Sequence, residues 1–138
     1  MELVVPDASV ILKWVFRDDE VGRKKALLIL TGWLEGKYDI VLPSLWFFEV
    51  GNIISRREPN LAFDIMKRLA GYKFVEIKMT EMLLTLILEL VREKRVTFYD
   101  ATYHAIAIRE NGRFITADKD YFAKAKDRGY IQLLDRLV

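Results

Sequence analysis

Five short apolar runs, rich in β-branched residues, recur at wide intervals along this 138-residue chain. They lie at 3–5, 40–42, 74–77, 113–116 and 131–133. The runs at 3–5, 40–42 and 113–116 read as buried strands, and those at 74–77 and 131–133 as strands. Between them stand segments of helical length, several with apolar residues spaced three and four apart. Parallel strands need long crossovers, and helices supply them. The pattern predicts a three-layer α/β/α sandwich around a mainly parallel central sheet. No linker, repeat or low-complexity stretch interrupts it, so residues 1–138 are expected to form a single domain.

The helices take their expected bounds from local signals. Ser9 opens a short one that ends near Trp14. A second runs over 21–34, with Ala26, Leu27, Leu30 and Leu34 as its stripe and Gly36 as its stop. Ser44 is the expected N-cap of a helix over 45–57. A helix over 61–69 closes at Gly71, and Thr80 caps a long one reaching about residue 92. The organising stretch is 96–121: a helix, a turn at Asn111-Gly112, a strand and a second helix start. A further helix to about residue 127 is stopped by Gly129.

Composition narrows the chemistry. The hydrophobic share is 52%, which is globular. No apolar run approaches the roughly 18 residues that cross a bilayer. The chain leads straight into a strand, so no signal peptide and no membrane partner are expected. There is no cysteine and one histidine, which removes disulfides, thiolate chemistry and a structural zinc site. This composition fits a cytoplasmic protein. A net charge of +2 is too weak to diagnose a nucleic-acid binder by itself.

Four acids stand out. Asp7 ends the first strand, Asp118 follows the fourth, and Asp100 opens the helix between them in the fold-back. Singly, each of these three has a capping explanation, because Asp accepts backbone hydrogen bonds at a helix start. Glu49 is different. It sits in Leu45-Trp46-Phe47-Phe48-Glu49-Val50-Gly51-Asn52, a helix expected to be buried on most sides. A lone buried carboxylate is costly unless paired or bound to metal. Asn52 shares its face.

Ligands in α/β sheets bind beyond the carboxyl ends of the strands, which points Asp7 and Asp118 to one edge. Two carboxylates about 5 Å apart repel by about 3 kcal/mol at an effective dielectric near 20. A cluster of four therefore needs raised pKa values or a cation. Oxygen ligands favour Mg²⁺ or Mn²⁺. Ser9 and Thr116 are expected to bond to the carboxylates or a coordinated water. Asp120 is weighed as a fifth acid against a solvated first-turn residue, and His104 as a satisfied helix residue. Trp14, Trp46, Phe47 and Phe48 read as core or subunit contact rather than base-stacking platforms.

In order, Asp7-Ala8-Ser9-Val10, Pro43 with Glu49-Val50-x-Asn52, Tyr99-Asp100-Ala101-x-Tyr103 and Ile115-Thr116-Ala117-Asp118 resemble the PIN domain. More narrowly, they resemble its VapC-type toxins. The resemblance covers nearly the whole chain. It implies a Mg²⁺- or Mn²⁺-dependent ribonuclease with Asp7, Glu49, Asp100 and Asp118 as its catalytic and metal-binding acids. Ser9, Asn52 and Thr116 match supporting positions, whereas Asp120 falls outside the core set. It also implies an RNA substrate, a homodimer and silencing by a small antitoxin protein.

Two other readings compete. A receiver or haloacid-dehalogenase-like domain also places acids and Mg²⁺ at strand ends for phosphoryl transfer, but the phosphatase type wants Asp where Ser9 stands. An RNA- or protein-binding module would use the acids as caps alone.

Overall fold

The computed structural model describes residues 2–137, so the outermost residue at each end of the expected domain lies outside the described residues. Five strands form one all-parallel sheet: β1 (Leu3–Pro6), β2 (Asp39–Pro43), β3 (Val75–Ile77), β4 (Arg113–Thr116) and β5 (Ile131–Leu133). Their order is β3-β2-β1-β4-β5. β1 is central and pairs with β2 on one side, Val4 opposite Ile40, and β4 on the other, Val5 opposite Phe114.

Among the described residues, seven α-helices make the connections: α1 (Ala8–Val15), α2 (Glu20–Leu34), α3 (Leu45–Arg57), α4 (Ala62–Gly71), α5 (Glu81–Lys94), α6 (Phe98–Arg109) and α7 (Lys119–Ala125). α1 and α3 pack on one side of the sheet. α6, backed by α5, crosses β1, β2 and β4 on the other. No helix among the described residues is long and apolar enough to cross a membrane.

The buried side chains form one contiguous cluster. On the α1 and α3 side, Phe74 gathers Trp14, Trp33, Trp46 and Tyr72 around its ring. On the α6 side, Phe114 meets Tyr103, His104 and Tyr121. Burying apolar surface, aliphatic and aromatic, on both faces of the sheet is the main stabilising term here.

Several local expectations are corrected. Of the expected α2 stripe, Ala26 and Leu30 are buried, Leu27 is half-buried and Leu34 is exposed, while Gly22, Ile29 and Gly32 complete the buried set. Ser44 has a helical backbone and makes no capping bond, because the helical turn already includes it. Gly71 stays inside α4, and the left-handed residue after it is Lys73. At the 111–112 turn the positive φ falls on Asn111. Gly112 is required for closeness: a Cβ there would lie 2.7 Å from the Leu3 carbonyl oxygen.

Candidate active site

Crossovers from β1 to β2 run over one face, and that from β3 to β4 runs over the other. The sheet therefore switches direction between β1 and β4, where a crevice opens beyond the carboxyl ends. Asp7 directly follows β1, and Asp118 stands just past β4.

Asp7 is buried, only 5% exposed. Its backbone amide donates to the Ile115 carbonyl, extending the ladder. Its side chain caps α1 by accepting from the Val10 amide. Ser9 Oγ donates to Asp7 Oδ1 and Thr116 Oγ1 to Oδ2, both at 2.5 Å. Each hydroxyl in turn accepts a backbone amide, Ser9 from Ala117 and Thr116 from Asp118. Two relays thus run from the β4–α7 loop into one carboxylate, each bond polarising the next. Burial pushes the Asp7 carboxyl up to about 7, further helped by the charge of Asp100 and opposed by the two hydroxyls.

Asp118 caps α7, its Oδ1 accepting from the Tyr121 amide at 3.0 Å. Asp100 does not cap α6. Thr97 does, accepting from the Asp100 amide. The Asp100 side chain is half-buried, and burial raises its pKa, with the charge of Asp118 adding to the rise. Both acids line one concavity of about 100 Å³ together with Asp120, Arg95 and Lys124. Asp120 itself is exposed.

The expectation that α3 is buried on most sides is wrong. Only Trp46, Val50 and Ile54 form its buried stripe, and Phe48 and Asn52 face water. Glu49 is half-buried and lines a second concavity with Asn52. Tyr103 Oη donates to Glu49 Oε1 at 2.6 Å, bridging α6 and α3. Burial raises the Glu49 pKa, Asp100 adds to it, and the Tyr103 hydroxyl opposes it. Burial drives the Tyr103 phenol far up, aided by Glu49, Asp7 and Asp100, so it is a fixed donor.

Asp100 is thus the electrostatic neighbour common to Asp7, Glu49 and Asp118. Among the described residues, no lysine or arginine nitrogen pairs with any of the four acids. Among those same residues no three acids stand as close as in a finished ion cage. Three of the acids already have side-chain oxygens in hydrogen bonds: Asp118 commits one oxygen to a cap, Glu49 one to Tyr103, and Asp7 both to hydroxyls.

His104 lies in the core, with no exposed surface. Its Nε2 contacts the Gly129 carbonyl at 2.8 Å, so that nitrogen carries the proton. Nδ1 then accepts from Tyr121 Oη at 2.7 Å. The ring joins α6 to Tyr121 in α7 and to Gly129 in the turn beyond it, so both nitrogens are engaged by partners other than the acids. Tyr103 is the residue that sequence reading missed in this role. A tyrosine one turn after Asp100 reads as core, and the clue was its place on the same helical face.

The sequence matches the PIN domain family over residues 4–127. No curated protein matches the chain. Solved structures show the same fold at low identity. A toxin–antitoxin complex from Klebsiella pneumoniae contains a chain 16% identical with TM-score 0.64, covering 95% of this chain and 97% of that one. VapC20 of Mycobacterium tuberculosis, described as a sarcin-ricin loop cleaving toxin, is 19% identical with TM-score 0.64, covering 87% and 93%. A Pyrobaculum aerophilum protein is 20% identical with TM-score 0.64, covering 98% and 92%. Because the family match runs from β1 through α7 and takes in all four acids, the chain belongs to the PIN domain family.

Proposed function

We propose that this chain is a ribonuclease that uses Mg²⁺ or Mn²⁺ and serves as the toxin of a toxin–antitoxin pair. One observation carries the reading. A carboxylate buried at the sheet's switch point, with its pKa pushed up to about 7, has carboxylate neighbours and no cationic partner. A pocket that stores anionic repulsion is suited to a dication.

The donor set fits such an ion: oxygens only, on separate elements, with spare lone pairs on Asp100, Asp118 and Glu49. Mg²⁺ keeps several waters and takes one or two carboxylates directly, so a loose set of acids suits it. Asp7, Asp100 and Asp118 would hold the ion. A dication bound there supplies charge neutralisation at a phosphodiester and eases deprotonation of a water nucleophile. Glu49 Oε2 orients that water or joins the ligands, while Tyr103 fixes its other oxygen. Ser9 and Thr116 favour the ionised form of Asp7 and aim it. Arg95 and Lys124, at the rim beside Asp100 and Asp118, meet backbone phosphates.

The strand order favours this reading over a receiver domain, whose sheet runs 2-1-3-4-5. The Klebsiella structure, a toxin–antitoxin complex, supports a small antitoxin as partner, and a homodimer is the proposed assembly. The test is cleavage of a panel of structured RNAs with Mg²⁺, Mn²⁺ or EDTA. Cleavage with either metal and none with EDTA is expected. Undiminished cleavage in EDTA would refute the metal requirement, and no cleavage of any RNA would refute the nuclease reading.

A further inference from the structure

Two large aromatic rings near the acids are left in water: Phe48 is 76% exposed and Tyr99 is 60% exposed. Folding gains little from such placement, beyond the edge-to-face contact of Phe48 with Phe47 at 6.4 Å. Each ring directly precedes an acid, Phe48 before Glu49 near the start of α3 and Tyr99 before Asp100 at the start of α6. The Tyr103–Glu49 hydrogen bond ties these two helices together. Both rings, with Asn52, line one concavity of about 390 Å³ that Leu45, Ile53 and Glu49 also line.

We propose that Phe48, Tyr99 and Asn52 form a subsite for one unpaired base of the RNA substrate, beside the carboxylates that act on its backbone. A nucleobase presents two π faces and a planar edge of donors and acceptors. The rings supply stacking, and the Asn52 amide supplies one donor group and one acceptor in a plane. Only an unpaired base offers its faces, so the subsite selects loops or single strands over duplex. The concavity around Phe63 shows the contrast: it is lined by apolar side chains and Lys67 and holds no carboxylate. This inference rests on the nuclease reading above.

The test uses Asp118→Asn as a silenced parent and a fluorescein-labelled single-stranded RNA, with affinity read by anisotropy. Phe48→Ala and Tyr99→Ala should each weaken binding about 10-fold, while Tyr99→Phe retains it. Duplex RNA should bind all variants alike. In the otherwise native protein, Mn²⁺ affinity measured by calorimetry should not change with either ring. Unchanged single-strand affinity would overturn the subsite. So would a loss that tracks conversion of a dimer to a monomer in sedimentation, which would make the rings a subunit contact. Failure of the nuclease reading looks different, because then the native protein binds no Mn²⁺ and the parent no RNA.

Discussion

Thr116 donates its hydroxyl to Asp7 Oδ2 at 2.5 Å, across 109 positions of sequence. The bond joins the ends of β4 and β1 at the point where the sheet reverses direction. Thr116 is itself buried and accepts the Asp118 amide, so one hydroxyl sets two acids at once.

Thr116→Val keeps the shape and removes both bonds. It should cost about 1–3 kcal/mol of stability, as a buried carboxylate and a backbone amide lose partners. RNA cleavage should fall about 10- to 100-fold, the usual cost of losing an orienting neighbour. Thr116→Ser should restore most of both, measured by denaturant titration and by initial rates.

Asp7 makes the metal-free protein sensitive to pH in a definite direction. Its pKa rises from 3.8 to about 7 on folding, chiefly through burial. The native state then holds this proton more tightly than the unfolded chain does. Its contribution to stability is fully present below the unfolded value and is lost as pH rises through about 7. The slope is at most about 1.4 kcal/mol per pH unit. Asp7→Asn should flatten that slope in denaturant titrations across this range. Mn²⁺ should recover the lost stability in the native protein and not in the variant.

His104 acts with the opposite sign. Burial lowers its pKa from 6.5, so the native state resists protonation. Its contribution is present above the unfolded value and lost as pH falls below it. In an Asp7→Asn background, where the largest competing slope is gone, the His104 contribution should appear as a loss of stability below pH 6.5. Adding His104→Gln should remove that decline while lowering stability overall, read in the same titrations.

Tyr103→Phe deletes one oxygen and keeps the ring stacked on Phe114 at 6.3 Å and 13°. Cleavage should drop about 10- to 100-fold with little change in melting temperature. Added to Glu49→Gln, the same substitution should cost nothing further, because the hydroxyl acts through that carboxylate. Equal losses in both backgrounds, read from a double-mutant cycle, would show that the hydroxyl acts independently of Glu49.

Much of the fold was legible because its signal is short-range. β1 and β2 are read from residue pattern alone, since β-branched runs have few alternatives. Asp7 and Asp118 were legible as neighbours because strand ends in a parallel sheet share an edge. Phe48 was not: an apolar run such as Leu45-Trp46-Phe47-Phe48 does not say which residue faces water when the packing stripe is narrow. Tyr103 was hidden for the reverse reason, since its ring belongs to the core and only its oxygen reaches the acids. Ser44 satisfied the rule for a cap, but the chain had already entered the helix there.

The most direct measurement is anomalous diffraction from crystals soaked in Mn²⁺. A peak within direct coordination distance of carboxylate oxygens from at least two of Asp7, Asp100 and Asp118 is predicted, and it should vanish in Asp118→Asn. No peak among these acids, in crystals of a protein that still cleaves RNA, would contradict the metal site and the mechanism built on it.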